Sequence, residues 1–296
     1  MNYRDGAVKR MGSQNTYTIP FYELNEHSNV RSFLEKQGYQ TAVVASDYGY
    51  TDWRDAAYYF RPFTINPNPL EGVYLSVTFL SALYEIDRPL IKSLRNFLPI
   101  PAYSTRRDHI LYAFDAMDEL AMIESPKFVF VHIIAPHPPF VIDKDGQQLK
   151  TNRPYGGLGG TSTTPEGYQH DYIGQLEYLN REILKAIDII LVSNDKEKVI
   201  ILQGDHGGAS LLSGDIETSC LFERASILNA YYFSGGNTQA LYPSITPVNS
   251  FRVVFNKYFG IEMPLLLDKT YFSNLGRPLK FTDISNRIEK TCTADK

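Results

Sequence analysis

Residues 127–140 read KFVFVHIIAPHPPF, and residues 198–208 read KVIILQGDHGG. In both stretches an apolar run of strand length ends abruptly, in histidine and proline in the first case and in Gly-Asp-His-Gly-Gly in the second. Apolar residues at helical spacing precede each run, over residues 107–123 and 168–192. A helix followed by a short buried strand, repeated along the chain, is typical of a parallel α/β sheet.

The same alternation is visible elsewhere in the chain. Ser28 is a suitable N-cap for a helix that ends at Gly38, and the run TAVVAS at residues 41–46 then predicts a buried strand. ILNAYYF at residues 227–233 predicts a strand that could pair alongside the others. Residues 247–258 predict a helix with proline in its first turn, and residues 74–84 predict another.

These elements predict an α/β fold with a mostly parallel central sheet and helices on both faces. We expect one domain over residues 28–296, after an irregular segment at residues 1–27 that has no periodic apolar face. The stretch 144–167 is rich in glycine, threonine and proline. It is therefore expected to be a mobile loop near the functional site.

Composition excludes several classes of protein. The 296 residues are 43% hydrophobic and 21% charged, as in an ordinary folded protein. The net charge of −4 argues against a nucleic-acid partner, since such binding needs a basic face. No apolar run reaches the roughly 18–20 residues of a membrane span, and the opening residues contain no apolar core of a signal peptide. Two cysteines are too few for a disulfide scaffold.

Asp205 and His206 directly follow a predicted strand. Ligands of open α/β sheets bind at the carboxyl ends of the strands, and carboxylate and imidazole groups together suit a divalent metal ion. Gly207 and Gly208 would let the backbone turn sharply beside a bound group. The alternative is a helix-capping aspartate beside a surface histidine.

His132 and His137 lie at the end of another predicted strand. The prolines after His137 restrict its backbone, so its imidazole could donate to a phosphoryl or sulfuryl oxygen. The alternative for His137 is an ordinary loop histidine. For His132, which lies inside an apolar run, the alternative is a core histidine bonded to the backbone.

Five stretches, taken in chain order, resemble the sulfatase-like branch of the alkaline phosphatase superfamily. They are FVFVHIIAPHPPFVIDKDG, YIGQLEYLNREILKAIDIIL, IILQGDHGG, ILNAYYF and ITPVNSFRVVFNKYFG. The resemblance covers about residues 30–272. It is nearest to bacterial membrane-anchored proteins related to lipoteichoic acid synthases and phosphoethanolamine transferases. It implies a sulfatase-like hydrolase or phospho-headgroup transferase with a metal site at the strand ends.

The resemblance also implies roles for individual residues. Asp205 and His206 would bind a divalent metal, which could be Zn, Mn, Ca or Mg. His137 would contact the phosphate or sulfate of the substrate, and His132 matches a second histidine of some transferases. Trp53 and Arg54 resemble a substrate-contacting loop, although the spacing differs by one residue. Their alternative is a packed tryptophan beside a solvent-exposed arginine.

In the family, a metal-bound Thr, Ser or formylglycine attacks phosphorus or sulfur, and water or an alcohol resolves the covalent intermediate. The strand that would supply a further metal carboxylate and this nucleophile is not found in residues 1–40. We therefore expect the chain to be N-terminally truncated, with no catalytic nucleophile of its own and little turnover. Residues 220–224, CLFER, resemble the cysteine signature that yields formylglycine, but proline is replaced and the position is wrong. We regard that match as accidental.

The resemblance places the full-length parent at the extracytoplasmic face of a bacterial membrane, tethered through the missing N-terminal region. The expected substrate is a sulfate or phosphate ester, and a glycan or lipid headgroup is a candidate. The alternative is a non-catalytic module that binds anionic glycans or headgroups in the same cleft. Binding by such a module would survive a chelator, whereas binding by the metalloenzyme would be weakened.

Overall fold

The computed structural model describes residues 25, 27–46, 48–62, 102–149, 164–193, 197–274, 276–288 and 292. These residues form two compact units. Unit A spans Gly38–Ser193, and unit B combines Met1–Gln37 with Asn194–Lys296. The helix expected at residues 74–84 lies outside the described residues, as does nearly all of segment 1–27. Elements are numbered below in chain order among the described residues.

Unit A contains a three-stranded parallel sheet in the order β2-β1-β3. The strands are β1 (Gln40–Val44), β2 (Tyr58–Phe60) and β3 (Lys127–Val131). In the register of the sheet, Val43 lies opposite a residue of each neighbouring strand, Tyr59 and Phe130. The last four residues of β1 are at most 1% exposed. A continuous apolar run is expected of a strand covered on both faces, and this confirms the predicted parallel sheet.

Three helices accompany this sheet: α2 (Ala102–Asp115), α3 (Met117–Met122) and α4 (Pro165–Val192). Small and apolar side chains of these helices form one buried cluster with Ala42 and Val44 of β1. A single helix was expected over residues 107–123, but the backbone interrupts it at Ala116 (ψ −7°). The side-chain ammonium of Lys127 donates to three carbonyl oxygens at the end of α3, which compensates the unpaired acceptors of that terminus.

Helix α4 begins earlier than the sequence pattern suggested. The hydroxyl of Thr164 accepts a hydrogen bond from the Gly167 amide, and Pro165 occupies the first turn. Both features are favourable at a helix N-terminus. The expected loop over residues 144–167 is therefore wrong at its end, because the last three of these residues are helical.

In unit B, helix α1 (Asn29–Lys36) has the predicted cap, since the Ser28 hydroxyl accepts from the Arg31 amide. Gly38, with φ of +86°, follows the helix in the left-handed region that glycine favours. Strand β4 (Val199–Gln203) pairs with β5 (Asn229–Phe233), and the pair is antiparallel. The predicted strand at 227–233 thus exists, but it runs against its neighbour.

Unit B also contains the short helix α5 (Leu221–Ala225), the longer helix α6 (Pro247–Phe259), and a hairpin of β6 (Tyr271–Asn274) and β7 (Arg277–Asp283). Helix α6 contacts β4, and its Phe255 packs against Phe33 of α1 with the rings tilted and their centroids 4.6 Å apart. A disulfide joins Cys220, the N-cap of α5, to Cys292 near the end of the chain.

A polar network fixes the start of α6. The Asp268 carboxylate accepts from the amide and hydroxyl of Thr246, from the Tyr242 hydroxyl and from the Asn249 side-chain amide. Burial acts to raise the pKa of Asp268, but these hydrogen bonds to the charged form outweigh it, and the pKa is lowered. The folded state therefore favours the ionised carboxylate.

We predict that Asp268→Asn destabilises the protein at neutral pH by about 1–2 kcal/mol. An asparagine side chain has one acceptor oxygen, so some of the donors that now bond to the carboxylate would lose their acceptor. A carboxyl whose folded pKa is depressed contributes stability above its unfolded pKa of about 4, and that contribution is lost as pH falls through the folded value. The difference between mutant and wild type should therefore shrink in acid. Urea unfolding between pH 7 and pH 3 measures this, with the exposed Asp145→Asn as control. A difference that stays constant over that range would contradict the assignment.

Candidate active site

Asp205 and His206 follow β4 after a single glycine. The Gly204 amide donates to the Leu228 carbonyl at 2.8 Å. This bond extends the pairing of β4 with β5 to Gly204, the residue directly before Asp205. The imidazole Nε2 of His206 lies 3.5 Å from Asp205 Oδ2. The Asp205 side chain is 80% exposed and that of His206 30% exposed. Both side chains thus lie at the end of the strand, with the Asp205 carboxylate oxygen and the His206 Nε2 atom facing each other.

The other edge of the His206 ring is anchored by its surroundings. Nδ1 lies 2.9 Å from the Gly207 carbonyl oxygen and 2.7 Å from Arg224 Nη1. Arg224 Nη1 also donates to the same carbonyl, at 3.2 Å. Metal-binding histidines are commonly oriented in this way, with one nitrogen held by a backbone carbonyl and the other directed at the ion.

The donor pair fits a divalent metal. Two ligands bound at about 2.0–2.2 Å in tetrahedral geometry are separated by about 3.3–3.6 Å, and the observed 3.5 Å separation lies in that range. One carboxylate and one imidazole suit Zn²⁺ or Mn²⁺. Among the residues that the structure describes, no three side chains of the metal-binding types His, Cys, Asp and Glu come together. The pair therefore supplies part of a coordination sphere.

The loop after the pair is held by Glu223 of α5. Its Oε1 accepts from the Ser210 amide at 2.9 Å and from the Ser210 hydroxyl at 2.6 Å, and its Oε2 accepts from the Leu211 amide at 3.0 Å. The backbone adds two bonds, from the Gly207 amide to the Arg224 carbonyl and from the Cys220 amide to the Leu211 carbonyl. Hydrogen bonds therefore join the loop to α5 and its cap residue at positions 207, 210 and 211.

The two glycines of the motif serve this contact. A Cβ on Gly207 would lie 2.0 Å from the Glu223 carbonyl oxygen and 2.5 Å from that of Ser226. A Cβ on Gly208 would lie 2.8 Å from Glu223 Oε1. Neither glycine is among those with a positive φ. The expectation that they permit a sharp turn is replaced by close approach: backbone carbonyls lie too close to Gly207 for a side chain, and the Glu223 carboxylate lies against Gly208.

Glu223 and Arg224 were missed by the sequence analysis. They lie within residues 220–224, which had been considered only as a cysteine signature. The structure makes this segment the capped helix α5, in which Cys220 Sγ accepts from the Glu223 amide. A capping box would have Ser or Thr at the cap and a glutamate side chain bonded back to the cap amide. Cys220 is neither residue, and the Glu223 side chain bonds the loop instead, so the sequence offered no signal for this helix or its contact.

In unit A, His132 follows β3 directly. Its Nδ1 lies 2.8 Å from the Thr51 hydroxyl and 3.2 Å from the Ser46 hydroxyl, so both hydroxyls orient the ring. A small pocket at this position is lined by Ser46, Arg106, His109, Ile110 and residues 132–134. His132 is therefore a partly buried, hydrogen-bonded group at the carboxyl end of a parallel strand, and its bonds go to side chains.

His137 is exposed, and its Nδ1 contacts the Pro138 carbonyl oxygen. The segment that follows is firmly held. Phe140 is fully buried with its ring edge against Tyr168 of α4, and the side-chain oxygen of Gln175 accepts from the Val141 and Ile142 amides. The loop that presents His137 is thus fixed at its C-terminal end.

Trp53 and Arg54 differ in their surroundings. Trp53 is 6% exposed and stacks on Phe130 of β3, with ring centroids 4.4 Å apart. The Arg54 side chain is 76% exposed and pairs with Asp52 at 2.7 Å, and this neighbour raises the pKa of Arg54. Asp52 also accepts from the Tyr59 hydroxyl. This is the packed tryptophan and exposed arginine of the alternative interpretation, so a substrate role remains a prediction, and for Trp53 packing is the observed role.

The six predicted residues therefore fall in two places. Asp205 and His206 are brought together in unit B, whereas His132, His137, Trp53 and Arg54 belong to unit A. Polar groups at the carboxyl ends of strands are the usual functional positions of an α/β fold.

A family model described as Sulfatase matches residues 4–252, and the chain belongs to that family. No match is found among curated proteins, nor among solved structures. The membership supports a sulfatase-like hydrolase or transferase domain at a coarse level, in agreement with the observed parallel sheet and its helices.

We predict that Gly207→Ala destabilises the protein by about 1–3 kcal/mol, because the new methyl group must displace backbone atoms. Gly204→Ala is the matched control, since its Cβ would meet no atom closer than 3.7 Å. The midpoints of urea unfolding measure the effect. Equal midpoints for the two variants would show that α5 does not approach the loop as described.

Proposed function

We propose that the chain forms most of a metal-dependent domain that cleaves or transfers sulfate or phosphate esters. The observation that carries this proposal is the 3.5 Å approach of Asp205 Oδ2 and His206 Nε2 at a strand end, within a chain of the Sulfatase family. Asp205 and His206 would hold the divalent ion, which could be Zn, Mn, Ca or Mg. When bound, such an ion neutralises charge that develops in the transition state.

The histidines of unit A are assigned to the substrate. The ring of His132 is oriented by Thr51 and Ser46, and His137 lies on a loop fixed by Phe140 and Gln175. Groups held in place before reaction cost little reorganisation when they donate to an oxyanion. Arg54 would add a positive charge, in competition with its present partner Asp52.

The reaction needs a nucleophile, and we assign this role to no residue of the chain. A hydroxyl oxygen would form a bond to phosphorus or sulfur, and the ester oxygen would leave with the bonding electrons and accept a proton. Water or an acceptor alcohol would then displace the enzyme oxygen. We assign neither this hydroxyl nor a further metal carboxylate to the described residues. A glycan or lipid headgroup is the proposed carrier of the ester.

A second candidate function is a non-catalytic module for anionic glycans or headgroups. It is favoured by the pocket of unit A, whose described lining includes Arg106, His109 and His132 and, among the residues that the structure describes, no carboxylate. Such a lining attracts an anion without help from a metal. Binding of inorganic sulfate that persists in a chelator and in His206→Ala would favour this candidate.

We also propose that the full-length parent functions outside the cytoplasm. Disulfides persist mainly in oxidising compartments, and Cys220 is bonded to Cys292. No helix in the described part of the chain is long and apolar enough to cross a membrane. Alkylation of the natural protein at its cellular site, followed by mass spectrometry, should detect neither cysteine as a free thiol. Two free thiols would contradict this location.

We predict that the chain binds Mn²⁺ weakly, because the described residues bring only two ligands together, and that Asp205→Asn removes measurable binding. Titration of free Mn²⁺ by electron paramagnetic resonance measures the affinity, with Asp145→Asn as the matched control on an exposed aspartate. Unchanged binding by Asp205→Asn would contradict the metal assignment. Robust phosphatase or sulfatase turnover by this chain, abolished by Asp205→Ala, would contradict the missing nucleophile instead.

A further inference from the structure

We infer that Glu223 and Arg224 are positioning residues of the Asp205–His206 pair, through which α5 sets the geometry of metal binding. This inference rests on the proposed function, because it concerns the same site. We call the three α5 residues Cys220, Glu223 and Arg224 the clamp. Their contacts with residues 206–211 are independent of whether the chain is catalytic.

The carboxylate of Glu223 does most of the holding. It accepts three hydrogen bonds from two consecutive residues, at 2.6–3.0 Å, and uses both oxygens. Bonds to a carboxylate are roughly twice as strong as those between neutral groups. A glutamine at this position has one acceptor oxygen, and its NH₂ group would face an amide donor. Glu223→Gln is therefore close in shape but unable to make the same bonds.

Arg224 acts on the histidine through the Gly207 backbone. Its Nη1 donates to the Gly207 carbonyl oxygen at 3.2 Å, and its own carbonyl accepts from the Gly207 amide. When Nε2 binds a metal, Nδ1 carries the proton and donates to the same Gly207 carbonyl, which lies 2.9 Å away. Arg224 thus fixes the carbonyl that orients the ring with Nε2 directed at Asp205.

Cys220 connects the clamp to the rest of unit B. Its amide donates to the Leu211 carbonyl, its Sγ caps α5, and its disulfide reaches Cys292. A five-residue helix makes few internal bonds, and isolated helices this short are unstable. We therefore infer that the loop bonds and the disulfide together keep α5 in place.

The test compares Glu223→Gln with Glu262→Gln, an exposed glutamate in the same unit. Groups that orient metal ligands typically change metal affinity by about 10–100-fold when they are mutated. We expect Mn²⁺ affinity to fall by that factor in Glu223→Gln and to stay unchanged in Glu262→Gln. Hydrogen exchange of the Ser210 and Leu211 amides should also become faster in Glu223→Gln alone.

Circular dichroism and thermal melting separate positioning from folding. If Glu223→Gln does not fold, Ser210→Ala removes only the 2.6 Å bond to Oε1 and should give a smaller change in the same direction. A wild-type chain that binds no Mn²⁺ contradicts the proposed function. A wild type that binds Mn²⁺, together with a folded Glu223→Gln that binds it equally well, contradicts this inference alone. Unchanged amide exchange would contradict the bonds on which it rests.

Discussion

The site of unit B depends on the close approach of the loop after β4 to the backbone of α5. Asp205 is largely exposed and His206 only partly buried, so burial alone does not fix them. They are fixed because Gly207 has no side chain, so its amide reaches the Arg224 carbonyl and its own carbonyl reaches the Arg224 guanidinium. Polar bonds at the surface thus replace apolar packing as the source of order.

In unit A the parallel sheet holds the candidate site residues in place. Its central strand β1 is buried along almost its whole length, and the residues that directly follow β1 and β3 are fixed by these strands. Ser46 and His132 leave the two neighbouring strands at the same edge, and therefore their side chains meet. Functional groups at the carboxyl ends of parallel strands are positioned by the strands themselves.

Elements with clear local signals could be predicted from the sequence. Ser28 and Gly38 bound α1 as expected, and the apolar runs gave β1, β3 and β4 within about three residues. The antiparallel sense of β5 could not be predicted, because an apolar run contains no information about its direction. The interruption at Ala116 was also hidden, since alanine is the best helix former. Thr164 and Pro165 are typical of a helix N-terminus and indicate the start of α4, but the glycines and threonines before them favoured a loop interpretation.

The candidate site was predictable where it depended on local order along the chain. Asp205 and His206 were selected because they are adjacent after a strand, and their side chains lie 3.5 Å apart, while metal binding by them stays a prediction. Glu223 and Arg224 were not predictable, because they lie 12 to 18 positions along the chain from the residues that they contact. The sequence likewise offered packing and substrate contact as alternatives for Trp53. Only the stacking on Phe130 shows which environment its ring occupies.

The central claim is that Asp205 and His206 share one metal ion. The most direct test is a crystal of the chain soaked in Mn²⁺, with diffraction data collected at the manganese absorption edge. We predict an anomalous peak within about 2.3 Å of both Asp205 Oδ2 and His206 Nε2, as metal–ligand bonds require. A saturating soak that gives no peak between these atoms, or a peak only at another site, would contradict the account.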